Sequence, residues 1–371
     1  MFDLSQPIPG CRVFPDGRVA FAAAAPGARR VLLAGDFTHW GAGALAMGPD
    51  PSHPGEWTLT LDQPLAPGLY FYKYIVDDVW RHDELNPIRE ADPFGGSNSV
   101  FVVGGREDLG PPEALRVMTL NLHTWQELES HLKLRQTAFV LAALDVHAVL
   151  LQEVGAHRED PLFANAGGAL QALLEMHTGR TWHHAWRFAH ESFRHFDEGL
   201  SLMSCLPLED VEAVELSGGD LRRIALGAVV RHGGRRVRLA AAHLNWPWTS
   251  GPEEAAALLR WIEEREAASP TDGVLVGGDF NATTDDEQVR VLTDAGFLDV
   301  ARHCAQARHC TPKPTMGEGE RGMRIDFQFL RSHGPGRLRP EICRVAFEEG
   351  GWGGVFQPRV SDHAGVFAVY R

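Results

Sequence analysis

Five short polar motifs contain the side chains of this sequence that could do chemistry. Each motif adjoins an apolar run typical of a buried strand, and together they supply carboxylates, amides and histidines. Carboxylate and amide oxygens suit a hard divalent cation, and histidines can contact a phosphate. The pattern therefore indicates a site that holds both. The motifs are Asn121 in VMTLNLH, Glu153 in AVLLQEV, His243 and Asn245 in LAAAHLN, Asp279, Phe280 and Asn281 in VLVGGDFNA, and Ser361, Asp362 and His363 before the last apolar run.

Hydrolysis of a phosphate ester would give these side chains distinct tasks. The phosphate charge must be neutralised, a water aligned and deprotonated, and the leaving oxygen protonated or bound to a metal. Glu153 suits a metal ligand, while Asp279 could orient or deprotonate the water. Asn281 could bind a phosphoryl oxygen or steady the metal, and Asp362 could support the metal or orient His363. Each motif alone has an ordinary alternative, such as a solvated carboxylate at a strand end or an Asx-turn.

Two regions of the chain differ in their patterning. Residues 11–103 contain short alternating segments separated by Gly, Pro and Asp, which predict a small antiparallel β-sandwich without a helix of useful length. The stretch GGREDLGPPEAL combines Gly, Pro and charge, as is typical of a linker. We therefore expect a first domain over residues 1–104, a linker over 105–114 and a second domain over 115–371.

The second region combines strand-like and helix-like segments. ALRVMTLNLH and HAVLLQEV are buried-strand runs that flank the helix-like LRQTAFVLAAL. GPEEAAALLRWIEEREA is an amphipathic helix that leads into GVLVGGDF, whereas RIDFQFL and AGVFAVY follow without long helices between them. This order favours an α/β (α+β) fold in which mixed sheets are layered with helices, rather than a doubly wound unit.

Composition bounds the class of protein. The formal net charge is −14 over 371 residues, and no basic stretch offers a footprint for nucleic acid, although a bound cation could supply positive charge locally. The first residues lack a basic and apolar leader pattern, and no apolar run is long enough to cross a bilayer. Five cysteines form no disulfide-like framework. We expect a cytoplasmic protein without a membrane segment, and nucleic acid is disfavoured as a partner.

The motifs TLNLH, LQEV, AAHLN, GGDFNA, RIDFQFL and SDHAGV, in that order, resemble the endonuclease/exonuclease/phosphatase superfamily of magnesium-dependent phosphoesterases. The match runs from about residue 115 to residue 371. It implies a four-layer sandwich of two mixed β-sheets flanked by helices, and a catalytic Mg²⁺ or Mn²⁺. It places Asn121, Glu153 and Asp362 at the metal. Where some nucleases carry a second acid two residues after the first Asn, this chain has His123.

The same resemblance implies roles for the catalytic side chains. His243 would face the phosphate as an acid, oriented by Glu198. Asp279 would align the nucleophilic water with Asn281 beside it. The other implied members are Asp326 as a phosphate or metal neighbour, His363 paired with Asp362, and either Arg222 or Arg223 reaching the phosphate, with Arg223 as the candidate.

A narrower resemblance concerns the substrate. NLHTWQE, HLNWPW and the aromatic and histidine-rich run before DEG are similar to a subgroup that contains the maltose 6'-phosphate phosphatases. Aromatic ring faces suit the C–H faces of a pyranose, so we expect an aromatic wall, although each Trp could instead pack in the core or a loop. Its members would be Trp182, Trp186, His190, Trp246 and Trp248.

The first region resembles a different family. LLAGDFTHW, EWTLTL, GLYFYKYIVDDVWRHDELNP and FGGSNSVFVV are similar to the glycogen-binding modules of the AMP-activated kinase β subunit and of glycogen-branching enzymes. This implies an immunoglobulin-like sandwich in which Trp40 and Trp80 stack on glucose rings while Lys73 and Asn98 bond to hydroxyls. Related modules in many glycan enzymes are structural and bind no sugar.

The two resemblances together predict a metal-dependent phosphatase that hydrolyses phosphomonoesters of α-glucans or malto-oligosaccharides by in-line attack of water. The expected partner is an α-glucan or a phosphorylated sugar. The first alternative is a phosphodiesterase, either a nuclease or a sphingomyelinase-like enzyme. The second is a non-catalytic glucan-binding scaffold, against which the retained acids and histidines argue.

Overall fold

The structure of the protein is a computed structural model that describes most of the chain. The described residues are 10–14, 18–66, 68–86, 89–92, 94–103, 109–124, 130–157, 165–192, 196–217, 221–308, 312–317, 322–334, 337–348, 350–352 and 355–371. Part of the predicted linker, residues 105–108, lies outside them.

The chain divides into two compact units. The first comprises residues 1–108 together with 349–358, and the second comprises residues 109–348 together with 359–371. Residues 349–358, expected in the second domain, thus group with the first unit.

Strands and two short 3-10 helices make up the described part of residues 10–103. Val19, Phe21 and Ala23, every second residue of the apolar run VAFAAA, lie in the core. The strands are β1 Gly10–Val13, β2 Val19–Ala24, β3 Val31–Gly35, β4 Leu45–Ala46, β5 Gly48–Pro49, β6 Glu56–Thr60, β7 Gly68–Val76, β8 Val79–Arg81, β9 Arg89–Ala91 and β10 Ser97–Val103, and the 3-10 helices are Asp36–Thr38 and Trp40–Gly43.

Two sheets of antiparallel strands share one core in the first unit. Their strand orders are β1-β2-β6-β5 and β4-β3-β7-β10-β9, with β8 paired to β7. Phe21 of the first sheet meets Leu33, Tyr72 and Phe101 of the second in this core. The ring of Phe21 lies edge to face with those of Tyr72 and Phe101, at centroid distances of 5.1 and 5.6 Å. The predicted small all-β sandwich is confirmed.

The described strands and helices after residue 109 belong to the second unit, except the strands Gly350–Trp352 and Val355–Gln357. None of the helices that the structure describes is long and apolar enough to cross a membrane. The strands are β11 Leu115–Asn121, β12 Ala148–His157, β13 His183–Ser192, β14 Phe196–Ser204, β15 Glu209–Glu215, β16 Ile224–His232, β17 Arg235–His243, β18 Gly273–Asp279, β19 Leu298–Asp299, β20 Asp326–Ser332, β21 Pro340–Ala346, β22 Gly350–Trp352, β23 Val355–Gln357 and β24 Gly365–Tyr370, of which β22 and β23 belong to the first unit. The helices are α1 Ser130–Ala143, α2 Ala166–Thr178, α3 Gly251–Ala268, α4 Glu287–Asp294 and α5 Val300–Ala307.

Two six-stranded mixed sheets form the centre of the second unit. Their orders are β13-β14-β12-β11-β24-β21 and β15-β16-β17-β18-β20-β19. β11 runs parallel to β12 and antiparallel to β24, and β18 runs parallel to β17 and antiparallel to β20. Val117 and Leu150 of one sheet meet Leu239 and Leu275 of the other in the core between them. Helices α3 and α4 cover the other face of the second sheet, and α1 and α2 pack beside the first. The predicted layered architecture is confirmed.

One buried arginine holds the start of the second unit in place. Arg116 Nε donates to the carbonyl oxygen of Leu109 and Nη2 to that of Pro111, both at 3.0 Å, while Nη1 lies 3.4 Å from Ala114 O. A buried guanidinium needs several acceptors, and these carbonyls supply them. Residues 109–114, expected in the linker, therefore form an ordered segment against β11.

The buried His147 and the half-buried His184 make the stability of the second unit depend on pH. Burial lowers the pKa of His147 and of His184 from the usual 6.5 to about 4. The folded state therefore favours the neutral rings, so their stabilisation is complete above about pH 6.5 and is lost as the pH falls toward 4. The backbone N–H of Arg116 donates to His147 Nδ1 at 3.1 Å, and protonation of this nitrogen would remove that acceptor.

We expect the variant His147→Asn to lose less unfolding free energy than the wild-type protein between about pH 7.5 and about pH 4.5. The Asn side-chain oxygen can accept the same bond but does not titrate. The difference is at most about 3 kcal/mol, because one pKa unit corresponds to about 1.4 kcal/mol. Denaturant unfolding at the two pH values measures it, with exposed His303→Asn as the control. Equal losses in both variants would contradict the role of His147.

Candidate active site

Three of the predicted site residues lie at one level of three neighbouring strands. β17 ends at His243, β18 ends at Asp279 and β20 begins at Asp326. The register pairs His243 with Asp279, and Asp279 with Asp326. Directly paired residues point to the same face of a sheet with Cβ atoms about 5 Å apart. The sheet thus brings together side chains that are far apart in the sequence.

The two glycines before Asp279 are required by close packing. A Cβ atom on Gly278 would lie 1.9 Å from the carbonyl oxygen of Ala242, and one on Gly277 would lie 2.6 Å from Leu150 Cδ1. A larger residue at either position would displace β18 from its neighbouring strand or from the facing sheet. These glycines therefore determine where Asp279 lies.

A β-bulge aims Glu153 into the site. Asn121 is the last residue of β11, and the pairing of β12 with β14 is interrupted between Leu151 and Val154. Glu153 lies in this interruption with a left-handed φ of 50°, which is uncommon for a side chain other than Gly, Asn or Asp. Bulges redirect side chains that strict alternation would place elsewhere, and strained backbone concentrates at functional positions.

The acids and histidines form two clusters joined by an amide. Asn121 Nδ2 lies 2.9 Å from Glu153 Oε1 and 3.1 Å from Asp279 Oδ2, so it links the two clusters. His243 Nε2 lies 3.9 Å from Glu153 Oε1 and 3.6 Å from Asp279 Oδ2. Within each cluster, the potential ligand atoms lie within 4.8 Å of one another. The clusters are Glu153, Glu198 and His243, and Asp279, Asp326 and His363.

Burial and like charges shift two carboxyl groups of the site. Burial, followed by the charge of Asp326, raises the pKa of Asp279 to about 7. Burial, followed by the charge of Glu153, raises the pKa of Glu198 to about 7. Both shifts mean that another negative charge is costly in this place. A cation bound among these groups would lower that cost.

Arg223 fixes the ring of His243. Arg223 Nη1 donates to His243 Nδ1 at 3.0 Å, and Nε donates to Asn245 Oδ1 at 2.9 Å. Because a guanidinium only donates, Nδ1 is an acceptor and the neutral ring holds its proton on Nε2. Burial, followed by the charge of Arg223, lowers the pKa of His243 well below its usual value. Asn281 lies beside the ring, with Nδ2 3.2 Å from Nε2 and bonded to Leu244 O at 3.0 Å.

Of the two candidate arginines, the structure places Arg223 in the site. Arg222 is engaged elsewhere: its Nε donates to Ala189 O at 2.6 Å, Nη1 lies 3.4 Å from Glu215 Oε2, and the guanidinium covers the ring of Phe188. Arg223 is therefore the arginine that could reach a bound phosphate.

One contact partner of Glu198 is His190, expected from the sequence only in the aromatic wall. His190 Nε2 lies 3.4 Å from Glu198 Oε1, and His190 Nδ1 lies 3.3 Å from the carbonyl oxygen of Arg222. The resemblance implied that Glu198 orients His243, whose Nδ1 is bonded to Arg223 in the structure. The proximity of His190 to Glu198 follows from the register of β13 with β14, which pairs the two residues.

His363 and Asp326 form a buried pair. His363 Nδ1 lies 2.9 Å from Asp326 Oδ2, and Nε2 lies 3.7 Å from Asp279 Oδ2. Burial opposes the charge on the ring, but Asp326 and then Asp279 outweigh it, so the pKa of His363 is raised to about 10. The neighbouring acids thus favour the protonated ring of His363. The other oxygen of Asp326, Oδ1, is buried and has no hydrogen-bond partner within the described residues.

Asp362 lies beside His123 at the edge of the site. Its Oδ1 is 3.3 Å from His123 Nδ1, and its side chain is 44% exposed. Within the described part of the chain, Asp362 belongs to neither cluster of acids and histidines. His123 also has a left-handed φ, of 45°. The assignment of Asp362 as a metal ligand stays a prediction.

The residues of the site fit a divalent cation. Glu153 offers the carboxylate oxygens that a hard cation prefers, and Asp279 and Asp326 lie close enough to share its charge. Asn121 faces these acids with Nδ2, while its oxygen accepts the backbone N–H of His123 at 3.1 Å, so coordination by Asn121 would require its amide to turn. The oxygen of Asp326 that has no partner among the described residues and the raised pKa of Asp279 both favour a cation at this place. A bound cation would neutralise phosphate charge and lower the pKa of a coordinated water.

The predicted aromatic wall is only partly accessible. Trp182 is wrong as a member, because it is 1% exposed and its Nε1 donates to Thr178 Oγ1 at 3.0 Å in the core. His190 is also buried, beside Glu198. Trp186 is half-buried, with Nε1 bonded to Val154 O at 3.0 Å. Trp246 and Trp248, which follow His243 in the chain, are the remaining members.

The predicted sugar-binding residues of the first unit are close in the fold. The rings of Trp40 and Trp80 have centroids 6.4 Å apart at an interplanar angle of 42°, and Trp80 is 46% exposed. Lys73 on β7 forms an ion pair with Asp92, and Asn98 lies on the neighbouring strand β10. Their contact with sugar stays a prediction.

Both regions of the sequence match known families. Residues 126–363 match the model of the endonuclease/exonuclease/phosphatase family. Residues 23–108 match the model described as the glycogen recognition site of AMP-activated protein kinase. The described strands of the first unit fall largely within the second match, and both sequence resemblances are confirmed.

Solved structures share the fold of the second unit. An endonuclease/exonuclease/phosphatase family protein from Leptotrichia buccalis matches with a TM-score of 0.60 and 17% identity over 70% of this chain and 100% of its own. An endonuclease/exonuclease/phosphatase from Beutenbergia cavernae matches with a TM-score of 0.55 and 24% identity over 70% of this chain and 72% of its own. At these identities the likeness concerns the fold alone.

One curated relative is named a phosphoglucan phosphatase. The chloroplastic phosphoglucan phosphatase of Arabidopsis thaliana is 37% identical over 82 residues, which are 22% of this chain and 13% of that protein. The chain thus spans a small part of that relative, and the matched stretch is too short to cover the second unit.

Proposed function

Because the chain belongs to the endonuclease/exonuclease/phosphatase family, whose members hydrolyse phosphate esters, we propose that it is a metal-dependent phosphatase acting on phosphorylated α-glucans or malto-oligosaccharides. The choice of substrate class rests on one observation: this family's domain and a glycogen-recognition module occur in the same chain. The name of the Arabidopsis relative agrees with this substrate class.

The geometry of the site supports a division of tasks. Asp279 receives the backbone N–H of Asn281 at 2.8 Å on Oδ1, which orients the carboxylate to accept a proton from water. His243, held by Arg223, offers its Nε2 proton on the side of the site that contains Asp279 and Glu153. Arg223 and His363 add positive charge for the phosphoryl oxygens.

Asn121 and Glu153, with Asp362 as a further candidate, would hold the cation. We propose Mg²⁺, with Mn²⁺ as a substitute, because oxygen donors dominate this set. The cation supplies charge neutralisation and an acidified water when it is bound.

A substrate panel tests the proposal. We expect release of inorganic phosphate from maltose 6'-phosphate and from phosphorylated maltodextrin in the presence of Mg²⁺ or Mn²⁺. Activity confined to bis(p-nitrophenyl) phosphate, DNA or sphingomyelin would instead establish a phosphodiesterase. No turnover of any phosphate ester, combined with retained glucan binding, would establish the glucan-binding scaffold.

A further inference from the structure

Two indole rings stack on each other immediately after the catalytic histidine strand. Trp246 and Trp248 have ring centroids 5.1 Å apart and an interplanar angle of 12°. Trp248 is 76% exposed, an unusual position for the largest apolar side chain. Trp246 is half-buried beneath it, so the stacked, nearly parallel rings form a platform whose outer aromatic face belongs to Trp248. We call this pair the indole platform.

The indole platform starts next to the residues that would hold the phosphate. Trp246 directly follows Asn245, whose Oδ1 accepts from Arg223 Nε at 2.9 Å. The same guanidinium donates to the ring of His243. A substrate whose phosphate meets Arg223 would therefore extend its neighbouring groups within reach of the platform.

The loop that presents the platform is fixed at its start. The backbone N–H of Asn245 donates to Glu254 Oε2 at 2.7 Å, and its Nδ2 donates to Glu254 Oε1 at 2.8 Å. Glu254 is fully buried in the first turn of α3, where the helix dipole favours a carboxylate. Gln288 Nε2 also donates to Asn245 O at 2.9 Å.

Thr249 closes the loop around the first indole. Its backbone N–H and its hydroxyl donate to the carbonyl oxygen of Trp246 at 3.0 and 2.8 Å. The rings are therefore presented by an ordered turn, and a ligand would not need to order the loop on binding. Preorganisation of this kind reduces the entropic cost of recognition.

We propose that the indole platform is a sugar-binding subsite of the second unit, which stacks the glucose ring next to the phosphorylated one. This inference rests on the proposed function. A nucleobase could use the same ring faces, but the formal charge of −14 disfavours a polyanion, and the chain contains a glycogen-recognition module. The second unit would then select oligosaccharide phosphates over small phosphate esters by itself.

Kinetics of the full-length chain test the platform. The measured quantity is the ratio of kcat/KM for maltose 6'-phosphate to kcat/KM for glycerol phosphate, which lacks a ring. We expect Trp248→Ala to lower this ratio about tenfold, mainly through a higher KM for the sugar, and Trp248→Phe to retain most of it. Leu221→Ala, which shortens another exposed apolar side chain of the same unit, should leave the ratio unchanged.

An unchanged ratio in Trp248→Ala would overturn the subsite. A selective rise in KM for a 5'-phosphorylated oligothymidylate would also overturn it, in favour of a nucleobase platform.

Binding separates failure of the subsite from failure of the proposed function. If the chain hydrolyses neither ester, calorimetry can still measure the affinity for maltoheptaose. It compares a double variant, Trp40→Ala with Trp80→Ala, to a triple variant that also carries Trp248→Ala. Residual binding that Trp248→Ala reduces at least about tenfold would support the platform. Equal affinity in the double and triple variants, or no binding by the double variant, would overturn the platform.

Discussion

Replacing Asp279 by Asn is expected to lower kcat for the best phosphomonoester at least about a thousandfold, because the variant loses the carboxylate that would orient and deprotonate water. The substitution preserves shape. Asn can still accept the N–H of Asn281 through its side-chain oxygen, while its amide nitrogen cannot take a proton from water. Release of inorganic phosphate under saturating substrate measures the effect.

Asp272→Asn is the matched control for this substitution. Asp272 directly precedes β18, whereas Asp279 ends it, and Asp272 Oδ2 accepts the backbone N–H of Arg236 at 2.8 Å. The two positions are thus at opposite ends of the same strand, roughly 20 Å apart. Asp272→Asn should retain turnover, and both variants should bind glucan as the wild-type protein does. Turnover of Asp279→Asn within tenfold of wild type would refute its assigned role.

Removing divalent cations is expected to abolish turnover, and adding Mg²⁺ or Mn²⁺ should restore it. The physical reason is the concentration of acids around Asn121, where burial and like charges already raise the pKa of Asp279. Cation binding to the folded state should also stabilise it, by about 3 kcal/mol at a hundredfold excess over Kd. Activity after chelation and thermal unfolding with increasing Mg²⁺ measure the two effects.

Glu153→Gln separates the catalytic cation site from other acids of the chain. This variant should lose most of the stabilisation by Mg²⁺, because it removes one negative charge from the cluster of Glu153, Glu198 and His243. The control is His53→Asn, which removes a member of the group formed by Asp50, His53 and Glu56 in the first unit. Full activity in the presence of a strong chelator would contradict a metal-dependent reaction. Equal loss of stabilisation in both variants would contradict the assignment of Glu153.

The sequence predicts the ends of strands better than the contacts between them. Glycines before Asp279 and the apolar run of β17 before His243 are local signals, and the structure places both residues at their strand ends. The pairing of Asp279 with Asp326 depends on sheet order and register, which local patterns do not specify. For Asp326, the resemblance to a family supplied what the pattern of RIDFQFL alone did not.

Side-chain partners were the hardest feature to predict. The position of Glu153 depends on an interruption of one strand pair, and no Gly or Pro in AVLLQEV marks that interruption. Trp182 and Trp248 belong to similar aromatic runs, yet one is in the core and the other is exposed. The difference arises from packing against α2 and from the turn before α3, both of which are properties of the assembled fold.

Because His243, Asp279 and Asp326 share one cross-strand level, the lengths of the connections between them can vary without moving the chemical centre. An insertion in the turn of residues 283–286 lengthens a surface loop, whereas one extra residue within β18 would turn the carboxylate of Asp279 to the opposite face of the sheet. Whole loops, such as the turn that contains the indole platform, can therefore differ in length and sequence around unchanged strand ends.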